Sequence, residues 1–251
     1  MACTMCASAA VGLSGCGCDD NTSTDNKPGY KVEPTEPDLT NGDFGFFIIN
    51  QEELMITKYT GSDKVIEIPE SYKNYKVTVI GASVFNGSDI TEVTIPSSIK
   101  QIEDYAFASC HNLTKVNLNE GLEILDNSVF FNCSALKEIK LPDSIKQVGT
   151  RAFSGSAVNN VVLPDSGKLT KLGEYAFYQS RELTDITIPA CVTSIPDNAF
   201  AEPSKEITIH GANGSYAQSY AKKNNIKFKA DVNSSSSKAT KASGKAAEKA
   251  E

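Results

Sequence analysis

The stretch from Ile95 to Leu113, IPSSIKQIEDYAFASCHNL, decides how this chain folds, because its order of residues returns along the sequence. Its anchor is Phe107, and phenylalanines recur at Phe85, Phe107, Phe130, Phe153, Phe177 and Phe200, spaced 22, 23, 23, 24 and 23 residues apart. A small residue precedes most of them: Ala106, Ala152, Ala176 and Ala199, with Val84 and Val129 as variants. Three residues after Phe107 and Phe130 stand Cys110 and Cys133, and the matching positions elsewhere hold Ser88, Ser156 and Ser180. Self-similarity at a fixed period of this length is the signature of a stacked-repeat architecture.

Two further features share the period. Val93-Thr94-Ile95-Pro96, Ile139-Lys140-Leu141-Pro142, Val161-Val162-Leu163-Pro164 and Ile186-Thr187-Ile188-Pro189 alternate apolar with outward residues and stop at proline. Val116-Asn117-Leu118-Asn119 is the same unit with asparagine in the proline place. Alternation over so few residues predicts a short strand, and proline ends it because it cannot donate the next ladder hydrogen bond. Apolar pairs three apart follow: Ile99 and Ile102, Leu122 and Leu125, Ile145 and Val148, Leu169 and Leu172, Val192 and Ile195. Each unit therefore reads as a short strand, a turn, and a second irregular or helical side that returns. No unit buries its apolar face alone. Stacking sets equivalent residues about 4.8 Å apart, the spacing of hydrogen-bonded strands, and makes the core continuous. Each large side chain so buried contributes roughly 1.5–3 kcal/mol.

At these residues the pattern I-P-S-S-I-x-x-I-x-x-x-A-F-x-x-C-x-x-L resembles the BspA-type leucine-rich repeat of bacterial surface proteins, over about Phe44 to Ala230. The resemblance implies surface exposure, links in some members to adhesion or to host and glycan contact, and few enzymes. The expected fold is an α/β-type repeat solenoid: a leucine-rich repeat with one parallel β-sheet face, an N-terminal β-hairpin cap and a C-terminal short helix cap.

A solenoid exposes apolar ends unless they are covered. Phe46-Phe47-Ile48-Ile49 and Leu54-Met55-Ile56-Thr57 predict the opening hairpin, with Val65 to Pro69 as the first strand of the stack and a long turn around Asn74. At the other end Ser215-Tyr216-Ala217-Gln218 is a capping-box pattern. It starts a short helix to about Lys223, with Tyr216 and Tyr220 over the last repeat and Ile226-Lys227-Phe228 as a closing strand.

The flanks read differently. Leu13-Ser14-Gly15-Cys16 resembles a bacterial lipobox, in which the cysteine thiol accepts a diacylglyceryl group. No Lys or Arg precedes Cys16, and the apolar run from Ala7 to Leu13 is short for a signal peptide; a start site further upstream would account for both. Residues 1–16 are thus expected to be a remnant lipoprotein signal. Residues 17–43, rich in Asp, Asn, Thr and Pro, predict a flexible tether. Residues 44–230 form the repeat domain of about six repeats plus caps, and the Ser-, Lys- and Ala-rich residues 231–251 a disordered tail.

Composition narrows the function. The 251 residues are 40% hydrophobic and 22% charged, which supports a real core. A formal charge of −7 disfavours nucleic acid, whose phosphates need a clustered positive surface. No apolar run is long enough to span a bilayer, so membrane contact is expected only through a lipid anchor. The seven cysteines form no dense pairing pattern. Stacking would bring Cys110 and Cys133 within disulfide range, but serine in the equivalent places favours free buried thiols; Cys191 is a lone loop cysteine. His111 and His210 stand alone and read as surface residues. No catalytic motif occurs, and the scattered carboxylates do not face one another across a cleft. Neither enzyme activity, metal nor cofactor is expected.

A ligand is expected on the outward residues of the strands: Glu92, Thr94, Lys115, Asn117, Glu138, Lys140, Asn160, Asp185 and Thr187, with Glu67, Val162, Glu206 and Thr208 completing the stripe. It carries no aromatic platform. Tyr105 and Tyr175 share one repeat position on the returning side, and Phe131 and Tyr178 another. The expected function is a lipid-anchored, monomeric adhesion or binding module on the outer face of the cell membrane, or secreted, contacting a host or bacterial surface protein. The alternative is a lipoprotein that captures a glycan or peptide.

Overall fold

A computed structural model describes residues 39–202 and 206–231. The lipobox with Cys16, most of the expected tether, and the tail beyond 231 lie outside the described residues. The domain opens with β1 (Leu39–Asn41), β2 (Phe44–Ile48) and β3 (Glu53–Tyr59), each antiparallel to the one before, with Leu39 opposite Phe46 and Ile48 opposite Leu54. The two apolar runs thus form the expected hairpin. β1 falls in the stretch assigned to the tether, so the fold includes residues before Phe44. Pairing satisfies backbone groups of β2 that would otherwise form an open edge.

β4 (Val65–Glu67) begins the stack. β5 (Ser71–Tyr72) and β6 (Tyr75–Ile80) make a tight hairpin whose turn holds Lys73 at a φ of 54°, which accounts for the long interval around Asn74. The coils then supply β7 (Glu92–Ile95), β8 (Gln101–Ile102), β9 (Lys115–Leu118), β10 (Ile124–Leu125), β11 (Gln147–Val148), β12 (Asn160–Val162), β13 (Asp185–Thr187) and β14 (Thr208–Gly211). α1 (Tyr216–Lys223) and β15 (Lys227–Ala230) close the described part.

Each coil has three sides, and each side forms backbone bonds between neighbouring coils, with one break on the first side. The first side carries the alternating strands. They run parallel as β4–β7–β9 and again as β12–β13–β14–β15. Between these sheets lies the Ile139 coil, joined toward β12 by the bridge from Glu138 to Asn160 and by the Asn159 amide donating to Lys137 at 3.0 Å. Its inward residues Ile139 and Leu141 stay buried, so the core runs on where the sheet stops. The second side was expected to be irregular or helical. It is instead a second parallel ladder, β3–β6–β8–β10–β11, continued by bridges from Val148 to Leu172 and from Lys171 to Ser194. The apolar pairs three apart form it because the second residue of each pair, such as Ile102 or Leu125, points into the core from a two-residue strand.

The third side holds the Phe positions. Around Phe107 the amides of Tyr105, Phe107 and Ser109 donate to Asn127, Val129 and Phe131 of the next coil, at 3.0, 3.0 and 2.7 Å. The amides between them turn inward along the chain, Ala106 to Glu103 and Ala108 to Tyr105. This alternation needs left-handed backbone two residues before and two after the ring. Ser83, Tyr105, Ser128, Arg151 and Tyr175 occupy the first position at φ of 55–59°. Gly87, Ser109, Asn132, Gly155, Gln179 and Glu202 occupy the second, and there glycine adopts φ of 70° at no steric cost.

Inside, the six phenylalanine rings form one file. Neighbouring centroids lie 4.9–5.6 Å apart and the planes differ by 3–12°. Tyr59 meets the file at Phe85 at 5.1 Å, and Tyr220 closes it at Phe200 at 6.0 Å, edge-on. Tyr220 sits on α1, whose N-cap Ser215 accepts from the Gln218 amide while the Gln218 side chain reaches back to the Gly214 amide. Tyr220 is buried, but Tyr216 is 41% exposed. Only one of the two tyrosines expected to cover the last repeat does so.

Candidate functional site

The strand face was the site read from the sequence, and the register shows which of its residues meet. Parallel pairing aligns Val65, Glu92 and Lys115 in one row, and Glu67, Thr94 and Asn117 in the next. Four of these side chains form a closed set across β7 and β9. Lys115 Nζ lies 2.5 Å from Glu92 Oε1, and Asn117 Nδ2 donates to Glu92 at 3.0 Å and to Thr94 Oγ1 at 3.2 Å. The Lys115 ammonium and then the Asn117 amide hold the Glu92 carboxyl below the usual carboxylate range. The face is therefore cross-linked by its own side chains, although exposed pairs of this type contribute little to stability.

Glu138 and Lys140 are exposed on the coil that belongs to neither sheet. They sit between the two paired patches rather than inside one. In the second patch Asn160, Asp185 and Thr208 share a row, and Val162, Thr187 and His210 the other. This corrects the stripe at its last step. Glu206 and Thr208 were aligned with Asp185 and Thr187, but the register moves the row two residues on, to Thr208 and His210. His210 thus belongs to the face, and its Nε2 lies 2.8 Å from Asp185 Oδ1. The other ring nitrogen is 4.0 Å from Asp231. The His210 contact, then the Thr184 hydroxyl, holds the Asp185 carboxyl low. β15 adds Lys227 and Lys229 to the same rows. The count from Phe200 to Ile209 equals that from Phe177 to Ile186, and this was the available sequence signal for His210.

The face holds one exposed apolar side chain in each patch, Val65 at 58% and Val162 at 56%. The rest of the face is polar and mixed in charge. Among the described residues no group of three His, Cys, Asp or Glu is placed to hold a metal ion, and no helix is long and apolar enough to cross a membrane.

Cys110 and Cys133 are structural. Cys110 Sγ donates to the Phe85 carbonyl at 3.0 Å and Cys133 Sγ to that of Phe107 at 3.1 Å, both as free buried thiols. Ser180 does the same to Phe153 at 3.0 Å. At these three positions the Cys/Ser slot donates to a core carbonyl of the preceding coil, whereas Ser156 donates to Phe153 of its own coil at 2.6 Å. Burial pushes both thiols up in pKa, away from the reactive thiolate. On the third side Tyr175 and Tyr178 meet edge-on at 5.5 Å, with the Arg151 guanidinium 5.1 Å from the Tyr175 ring.

Known proteins place this architecture. A family model for the BspA type leucine rich repeat region, in six copies, matches residues 59–168 and 131–244. The crystal structure of a leucine rich repeat protein of T. pallidum is similar over 77% of this chain and 98% of its own, at 20% identity and a TM-score of 0.59. A leucine rich cell surface protein of Faecalibacterium prausnitzii is similar over 70% of this chain at 26% identity and a TM-score of 0.58. The match spans 55% of that protein's length. The pneumococcal vaccine antigen PcpA is similar over 70% of this chain and 44% of its own, at 16% identity and a TM-score of 0.56. No curated protein matches the sequence.

Proposed function

The chain belongs to the BspA type leucine-rich repeat family, and from that membership we propose that it is a non-enzymatic interaction module on a bacterial cell surface that docks a protein partner on its strand face. The observation that carries this reading is the Glu92–Lys115–Asn117–Thr94 set, whose side chains hold one another in place. A surface already ordered loses little side-chain freedom on binding. Its mixed charges would select a partner of complementary pattern and set the approach rate. The similarity to a leucine rich cell surface protein supports the location. In this reading Cys16 carries the lipid, and the residues between it and β1 hold the module away from the membrane.

The test uses the full chain displayed to immobilised extracellular-matrix proteins and to isolated bacterial wall material. Reversing the charges of Glu138 and Lys140 together should abolish capture of the bound protein at an unchanged melting midpoint. Capture that survives this reversal, together with that of Glu92 and Lys115, would move the docking surface elsewhere. For the anchor, labelled palmitate should enter the wild-type protein in cells and not Cys16→Ser. An unlabelled wild type removes the lipid from the proposal and leaves the docking face standing.

A further inference from the structure

The turn after each phenylalanine comes in two lengths. Nine residues separate Phe107 from Val116, Phe130 from Ile139 and Phe177 from Ile186, but eight separate Phe85 from Val93 and Phe153 from Val161. In the long turns a buried leucine closes a three-residue bend, Leu136 to Cys133 and Leu183 to Ser180, both at 3.1 Å. Two residues are left standing out from the coil, such as Arg181 and Glu182, which are exposed. In the Phe153 coil only Ala157 separates Ser156 from buried Val158, and its amide turns back to the Cys133 carbonyl at 3.4 Å. One residue is missing where both neighbouring coils protrude. The result is a cavity of about 400 Å³, floored by Gly155 and Ala157 and walled by Asn132, Gln179, Arg181 and Glu182.

We infer that this cavity binds a neutral sugar ring of a glycan. Its volume lies at the lower end of the range for small-molecule sites, roughly 300–1,000 Å³. Its wall chemistry is a complete set of donors and acceptors. The guanidinium only donates, the carboxylate only accepts, the Asn132 amide does both, and the Gln179 amide, whose Nε2 already donates to Glu202 and Tyr178, offers its oxygen as an acceptor. Sugar hydroxyls also donate and accept, so such a set pairs them without leaving a buried group unmatched. The wall carries one cation and one anion, and the chain as a whole is −7. Neither favours an acidic ligand.

The walls are held in place. Gln179 Nε2 donates to Glu202 at 2.9 Å and to the Tyr178 hydroxyl at 3.2 Å. Tyr178, paired with Tyr175, thus sets an aromatic surface beside the wall, the kind of surface on which the C–H face of a sugar packs. The floor is kept low by Gly155, whose φ of 70° excludes other residues without strain and whose Cβ, if present, would lie 3.5 Å from Asn132. The other short turn gives no equivalent. Its cavity beside Ser88 is about 260 Å³, below that range. The inference does not depend on the strand-face reading, because the cavity lies on the turns.

The experiment is titration of the full chain with neutral trisaccharides (cellotriose, maltotriose and mannotriose), with trigalacturonic acid as the charged counterpart, followed by amide NMR. At least one neutral trisaccharide should bind saturably and shift the Gly155 and Gln179 amides. Binding should be about tenfold weaker in Arg181→Ala, the scale of one lost hydrogen bond from a charged group. It should vanish in Ala157→Phe, which fills the cavity. Arg181 is exposed, so that variant keeps its fold even if the second does not. Three results would overturn the assignment: no neutral trisaccharide binds, only the acidic one does, or binding ignores Arg181→Ala. Loss of strand-face capture on charge reversal would leave this result untouched, so the two proposals fail separately.

Discussion

Phe130 and Phe153 stack with centroids 5.6 Å apart and planes 12° from parallel, and each is fully buried. The pair sits in the middle of a file that runs from Tyr59 to Tyr220, so a ring removed there has neighbours on both sides that cannot close the gap. Phe130→Ala should destabilise the domain by about 3–5 kcal/mol. Chemical denaturation measures it, and a midpoint equal to wild type would mean that the file does not support the fold.

The end of the file should depend on shape more than on its hydrogen bond. Tyr220 donates to the Pro196 carbonyl at 3.1 Å and covers Phe200. Tyr220→Phe keeps the ring and should cost about 0.5–1.5 kcal/mol, whereas Tyr220→Ala uncovers the stack and should cost about 3–5 kcal/mol. Equal losses in the two variants would show that the hydroxyl, not the ring, is what matters there.

Backbone handedness predicts effects of opposite sign at equivalent places. Ser109 and Gly155 both stand two residues after a phenylalanine, at φ of 56° and 70°. Left-handed backbone costs a residue with a Cβ about 1–2 kcal/mol, while glycine loses about 0.5–1 kcal/mol in chain entropy. Ser109→Gly should therefore raise the melting midpoint and Gly155→Ala lower it. Shifts of the same sign would contradict the account.

The buried thiols should be chemically silent. Maleimide labelling of the native protein, mapped by peptide mass spectrometry, should modify Cys191, which is half-buried, well before Cys110 or Cys133. Cys110→Ser should cost little, because serine fills the same slot at Ser180 and donates to the same kind of carbonyl. Cys110→Val removes that donor from the Phe85 carbonyl, which keeps the Ser88 amide at 3.0 Å, and should cost about 0.5–1.5 kcal/mol. Rapid native labelling of Cys133 would show that this slot opens.

The acid limb carries a signature of the face. Asp185 is held low by His210, so its contribution is complete above the unfolded aspartate pKa of about 3.9 and is lost as pH falls through the lower folded value. Asp185→Asn keeps an acceptor for His210 but removes the charge. The gap in melting temperature between wild type and this variant should be positive at neutral pH and close on acidification below about pH 4. A gap that widens on acidification would reverse the assignment.

Local order fixed much of this protein. The spacing of Phe85 to Phe200 named the core file, proline ended each first-side strand, and Ser215 with Gln218 marked the start of the helix. Those features are periodic or short-range, so a single chain read in one dimension contains them. Other features depend on what lies one coil away. The amides of Tyr105, Phe107 and Ser109 bond to residues 22 positions on, and nothing in tyrosine or serine announces a left-handed backbone. His210 joined Asp185, Glu138 and Lys140 fell between two sheets, and the Phe153 turn became a cavity through contact with neighbouring coils. Composition set which side chains could be buried. The stacking of coils of unequal length decided which surface residues would meet.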